Sequence, residues 1–234
     1  MTPLDNPIWT SLEGGHDALA TRAGQAARYP QEVSPLAGLA EPSAEALRDL
    51  ASLVAPESFA AAFLGATPVD ASDWQELGRI ELIQMVCDAP LEPPEAELAP
   101  LCNADVPEML ALTDETRPGP FAARTIEMGR YIGHRDGGRL VAMGGERLRP
   151  HGHTEVSAIC SAESHRGRGL AEAIVRSLVA AIQARGEQAF LHVMAGSPAE
   201  ASAVGLYRRL GFRERRREPL VILQRTPAPE SLSR

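Results

Sequence analysis

The stretch SAESHRGRGLAEAIVRSLVAAIQARG, residues 161–186, decides how this chain is read. Its core, RGRGLA, admits three readings: a dinucleotide fingerprint, an RNA-binding arginine–glycine tract, or a helix start that holds a phosphorylated cofactor. A dinucleotide fingerprint needs GxGxxG, but Gly167 and Gly169 are followed by Glu172. The strands before it also read as antiparallel, where that fold needs βαβ units. A phosphate loop ending in Gly-Lys-Ser/Thr is excluded, because all 23 basic residues are arginine. An RNA-binding tract would be a longer low-complexity repeat with interleaved aromatics. Here the glycines run straight into Leu170, Ile174, Leu178 and Ile182 at i, i+4 spacing, closed by Arg185 and Gly186. The third reading has a physical basis. The first N–H groups of a helix have no internal partner, and the helix dipole adds positive potential there. Glycines at 167 and 169 let backbone approach a phosphate, and Arg166 and Arg168 add charge. On spacing alone, a glycine-rich loop that merely opens a helix stands as the alternative.

Working outward, RYIGHRDGGRLVAMGGERL alternates about Asp136-Gly137-Gly138, a hairpin signal, and HTEVSAIC continues the meander. Beyond the long helix come a strand in QAFLHVM, a helix in SPAEASAVGLYRRLG and a closing strand in EPLVILQR. Ahead of the meander we expect a strand at 98–101 and helices at 105–112 and 121–128. In the front part, EPSAEALRDLASLV reads as a helix capped by Ser43, with a second helix at 16–28 and strands in SFAAAFLG and IELIQMV.

Two motifs in this order resemble those of the GNAT superfamily of acyl-CoA-dependent N-acyltransferases. Arg166-x-x-Gly169-x-Ala171 is similar to its R/Q-x-x-G-x-G/A signature. Ala203, Leu206, Tyr207, Leu210, Gly211 and Phe212 resemble its second signature, 38 residues on from Gly169 to Tyr207. The likeness covers about 98–225 and looks nearest the glycine-N-acyltransferase branch, whose members have a diverged N-terminal half. It implies an α/β (α+β) fold with a mixed, mainly antiparallel sheet flanked by helices, preceded by a smaller α/β domain that would be a degenerate copy. It implies acetyl-CoA or another acyl-CoA as co-substrate, with the pyrophosphate on the amides of Arg166, Gly167, Arg168, Gly169, Leu170 and Ala171. The pantetheine arm would lie along the backbone of Ala158, Ile159, Cys160 and Ser161, as an added strand does. Tyr207 falls at the position of the acid that protonates the departing thiolate, and Glu155, eleven residues before Arg166, where some members place a general base. Alternation along the strand sets His151, His153, Glu155 and Ser157 on one face. His153 and, on the next strand, His192 are further candidates, though a hydrogen-bonded core histidine is the plainer reading of the latter. One departure stands out: Glu200 occupies a place where the family often has Asn, within the cofactor-contacting turn that also holds Ala203. Ser197-Pro198-Ala199-Glu200 reads instead as a capping box.

Composition bounds the rest. The chain has 234 residues, 44% hydrophobic and 23% charged, as expected of a globular protein. No apolar run approaches a bilayer span, the start has no signal-peptide pattern, and three cysteines without a CxxC pair form no disulfide framework. The cytoplasm is the default expectation. DAPLEPPEAELAP reads as a linker, dividing a domain at 1–97 from an acyltransferase domain at 98–234. The first segment has 16 acidic residues against 4 arginines, a net of −12; the second has 15 against 19, a net of +4. A polyanionic ligand is therefore expected on the second. His151 and His153 lack the clustered ligands of a metal site, and no metal is expected. The expected activity is transfer of an acyl group to the primary amine of a small molecule, amino acid or peptide, by a monomer or homodimer needing neither nucleic acid nor membrane. The alternatives are a non-catalytic CoA-binding or protein-interaction module, or recruitment of a basic protein by the acidic front.

Overall fold

The computed structural model describes residues 2–69 and 72–227, so the last seven residues of the back segment lie outside it. Two sheets form. The smaller joins β1 (Thr21–Ala23), β2 (Ala26–Arg28) and β3 (Ala37–Leu39), all antiparallel. The larger contains β4 (Phe59–Phe63), β5 (Trp74–Cys87), β6 (Ala99–Leu101), β7 (Tyr131–Asp136), β8 (Arg139–Glu146), β9 (His153–Ser161), β10 (Gln188–Met194) and β11 (Phe212–Arg225), in the order β4-β11-β5-β10-β9-β8-β7-β6. Only β9 and β10 are parallel; every other neighbouring pair is antiparallel. The expected mixed, mainly antiparallel sheet is therefore present, together with an extra N-terminal sheet.

Among the described residues five helices cover it: α1 (Pro7–Glu13), α2 (Ala44–Leu53), α3 (Val106–Thr116), α4 (Leu170–Ala184) and α5 (Glu200–Arg209). On one face, Ile174, Leu178 and Ile182 of α4 pack on Met85, Val156 and Leu191, with α5 beside them. On the other face, α3 sets Met109 and Leu112 against Tyr131 and Met143. Next to it, Ile8 and Leu12 of α1, with Tyr29 and Val33, meet Val86, Phe190 and Leu220. Helix α2 closes the far end, where Ser43 caps it by accepting the Ala46 N–H at 3.1 Å.

Several elements depart from the sequence reading. The helix expected at 16–28 is a short 3-10 turn (Asp17–Leu19) followed by the β1–β2 hairpin. Gly24 turns that hairpin at φ +49°, and His16 is buried, bonded to the Tyr29 hydroxyl and the Met128 carbonyl at 2.8 Å each. The helix expected at 121–128 shrinks to a 3-10 turn (Thr125–Met128), because Thr125 Oγ1 accepts from the Ala122 N–H and donates to the Val33 carbonyl. The Pro/Glu linker is a change of composition without a break in the sheet, since β5 from the front segment pairs with both β10 and β11. The turn at Gly137 and Gly138 has φ +56° and +85°, the backbone of a tight hairpin.

The feature that positions the site is a parting of strands. β9 and β10 pair only from His153 with Gln188 to Glu155 with Phe190. Beyond that point β9 is bulged: Ala158 takes φ +55°, and its pairing with β8 slips between Met143 and Gly145. Gly144 lets the bulge pack down, because a Cβ there would stand 2.3 Å from Ile159 Cδ1 and 2.7 Å from Ile174 Cγ2. Gly144→Ala should therefore cost about 1–3 kcal/mol by overpacking. Urea unfolding measures it, and an unchanged midpoint would show that α4 does not press on the bulge.

Candidate active site

Where β9 leaves β10, the strand edge of residues 157–161 that faced β10 has no strand partner among the described residues. This edge leads directly to the RGRGLA segment. Gly167 and Gly169 have φ +76° and +77°, and nothing stands within 4 Å of a Cβ built on either. Glycine is required here twice over, for the left-handed backbone and for an unobstructed approach. Gly169 is the N-cap of α4 and makes no side-chain cap, leaving the first-turn amides of Leu170 and Ala171 pointing out of the helix end. Arg166 and Arg168 are exposed around it; Arg168 Nη1 reaches only to Asp136 at 3.9 Å. Charge, dipole and open amides converge, so a pyrophosphate fits. Cys160 is buried in this wall, which pushes its thiol up to about 11, while Ser161 and Ile159 are half-buried.

Glu155 sits where the strands part, fully buried. Both its oxygens are taken: Arg147 Nε and Nη2 donate to them at 2.8 Å each, and His192 Nδ1 lies 2.7 Å from Oε1. Burial by itself pushes this carboxyl up, but the Arg147 guanidinium and the His192 ring outweigh it and hold it well below the ordinary carboxylate range. It is thus a poor proton acceptor, and the expectation of Glu155 as the base gives way to one of Glu155 as an anchor.

The chain of contacts continues across the sheet. Gln84 Oε1 accepts from Arg215 Nη1 at 2.8 Å, and its Nε2 donates to the Leu4 carbonyl at 3.0 Å and faces His192 Nε2 at 3.3 Å. With Gln84 turned this way, the amide donates to His192 Nε2, so the ring proton sits on Nδ1 and points at Glu155. Arg147 and Gln84 escaped the sequence reading. The available signals were a polar residue interrupting the apolar run IELIQMV and an arginine opposite a central-strand glutamate. His153 lies at the closed, paired end of β9, and its Nδ1 contacts the His151 carbonyl at 2.7 Å, so neither histidine borders the parting.

Tyr207 lies on α5, on the α4 face, half-buried against the core with its ring 5.7 Å from Phe212. Its hydroxyl has no hydrogen-bond partner among the described residues. Burial pushes the phenol up to about 12, which keeps its proton in place at neutral pH. Ala203, one turn earlier, is partly buried against the same core. The capping box expected at Ser197 does not form. Ser197 Oγ donates to the Met194 carbonyl, α5 starts at Glu200 behind Ala199, and Glu200 Oε2 accepts the Gly196 N–H at 2.7 Å. Glu200 thus fastens the loop before its helix.

A GNAT-family protein from Novosphingobium aromaticivorans DSM 12444 is similar over 97% of this chain and 100% of its own, at 35% identity and a TM-score of 0.87. The chain belongs to the GNAT family. The family model of FR47-like proteins also matches residues 131–221, from β7 into β11. At lower identity the fold alone is shared. A GCN5-related N-acetyltransferase from Kribbella flavida is 20% identical (TM-score 0.59, 94% of this chain, 96% of its own). A GCN5-related N-acetyltransferase-like protein from Streptococcus suis 89/1591 is 14% identical (TM-score 0.55, 93% and 92%). A comparison with curated protein sequences finds no match. Among the described residues, no helix is long and apolar enough to cross a membrane.

The depressed carboxyl of Glu155 has a consequence for stability. Its ion pair contributes fully above the unfolded carboxylate value near 4.5 and is lost as pH falls from there towards the lower folded value. Glu155→Gln should cost about 3–5 kcal/mol near neutral pH, by leaving Arg147 buried and uncompensated. Urea melts across the pH range should show that gap narrowing below pH 4.5, and a gap independent of pH would contradict the ion pair.

Proposed function

We propose that this GNAT protein is an acyl-CoA-dependent N-acyltransferase, with acetyl-CoA as donor and the primary amine of a small molecule, amino acid or peptide as acceptor. The observation that carries it is the continuous path from the unpaired edge of β9 to the glycine-flanked amides of α4. The backbone of Ala158, Ile159, Cys160 and Ser161 would hold the pantetheine arm, and the amides from Gly167 to Ala171, with Arg166 and Arg168, the pyrophosphate. When bound, the co-substrate supplies an acyl group activated as a thioester.

The chain's own residues provide the proton handling. As the amine nitrogen bonds to the acyl carbon and the carbon–sulfur bond breaks, Tyr207 gives its proton to the thiolate. The incoming amine must arrive neutral, so a base has to take its proton. We assign that role to His192 Nε2, whose contact with Gln84 at 3.3 Å is long enough to be displaced. Glu155, bonded at Nδ1, fixes the ring and stabilises the positive charge it gains, the arrangement of other carboxylate–histidine pairs. No nucleic acid or membrane enters this scheme. The nearness to the glycine-N-acyltransferase branch, with a diverged front half, belongs to the same proposal and rests on the residue patterns.

Release of free thiol from acetyl-CoA over a panel of amines tests it. Tyr207→Phe should lower kcat by about 10²–10⁴-fold with little change in CoA affinity. His192→Gln should lower the rate most at low pH and be partly rescued at high pH, where more amine is neutral. Tight CoA binding without turnover of any amine would favour a non-catalytic CoA-binding module.

A further inference from the structure

A cavity of about 200 Å³ opens on the α3 face of the sheet beside His192. Its walls come from the front segment, from β5, β10 and β11, and from the loop of Pro118, Gly119 and Pro120. Of the described side chains lining it, only Arg147 and His192 are polar; the rest are apolar, such as Leu36, Phe63, Leu82 and Leu220, and no described Asp or Glu is among them. Phe59 and Met194, which also line it, are unusually exposed for apolar residues, at 42% and 46%.

Deepening the acyltransferase reading, we propose that this cavity receives the acceptor, a primary monoamine with an apolar body of roughly phenyl size and a carboxylate or carbonyl oxygen near its amine. Size sets the body, since an apolar cavity of about 150 Å³ suffices for benzene. Charge sets the number of amines. A second ammonium would meet no carboxylate in the lining, since the nearby Glu155 and Glu218 are engaged by Arg147 and Arg216, and would bear a heavy desolvation cost. The single reacting amine benefits instead, because apolar walls favour its neutral form.

Arg147 supplies the oxygen contact. Its Nε and Nη2 are spent on Glu155, but Nη1 has no partner among the described residues. The side chain is 17% exposed where Glu155 is 0%, and it lines the cavity, so Nη1 is the donor it has left for an occupant. Nearby, the Tyr131 hydroxyl is buried with no hydrogen-bond partner among the described residues, close enough to Arg147 and Glu155 to feel both charges. Tyr131 does not line the cavity, so the oxygen contact rests on Arg147 Nη1, a charged donor whose bond to a ligand oxygen would be a strong one.

Thiol release from acetyl-CoA with L-phenylalanine, L-phenylalaninamide, 2-phenylethylamine, glycine and putrescine tests this. At least one of the two phenylalanine compounds should exceed glycine in kcat/KM by about 30-fold or more, with putrescine lowest. Preference between acid and amide distinguishes a free carboxylate from a peptide-like carbonyl. Phe59→Glu, a change at an exposed rim position, should narrow the gap to putrescine by about tenfold. Glycine or putrescine at parity with the aromatic substrates overturns the proposal, and parity of 2-phenylethylamine with both phenylalanine compounds overturns the Arg147 contact. If no amine is turned over, the acyltransferase reading fails separately. Calorimetric titration with CoA present then decides the cavity: phenylalaninamide binding about tenfold tighter than glycinamide supports it, and equal affinity overturns it.

Discussion

The rest of the site depends on the separation of β9 from β10 just past Glu155. Parallel neighbours normally continue to pair, and each unpaired backbone group forgoes a hydrogen bond. Two devices hold the strands apart here. Ala158 takes a left-handed conformation that redirects β9, at a cost of about 1–2 kcal/mol for a residue with a Cβ. At the point of separation, the bidentate pair of Arg147 with Glu155 and the bond to His192 fix both strands by their side chains. The parting exposes the edge on which a pantetheine arm fits and directs the chain to the open N-terminus of α4.

The two faces of the sheet then take different tasks. Helices α4 and α5 gather the glycine-flanked amides of the α4 start and Tyr207 on one side. The front segment and the loop after α3 build an apolar cavity on the other, with His192 and Arg147 at its wall. Donor and acceptor would thus approach from opposite faces and meet at the gap. The front segment is integral to this arrangement, since β5 lies between β10 and β11 and supplies Gln84.

What was legible in the sequence follows the range of the forces involved. The meander and α4 with its glycine-flanked start are written in local periodicity and glycine placement, and the structure has them within a few residues. Ser43 was readable as a cap for the same reason. The helix expected at 16–28 gives way to contacts from distant parts of the chain: His16 is drawn inward by Tyr29 and Met128, and Gly24 makes the turn. Glu155 was found as a residue but misread as a base, because its partner Arg147 and its contact His192 lie across a loop and on another strand. The cavity beside His192 was not legible at all, being assembled from eight separate stretches of chain.

The central claim is that the parted edge of β9 and the helix start after it form one continuous binding track for CoA. Amide hydrogen exchange measured with and without CoA tests it most directly. Protection is expected at residues 157–161 and 167–171 alone, with the paired stretch of β9 from His153 to Glu155 unchanged. Protection elsewhere with these two segments unaffected would contradict it.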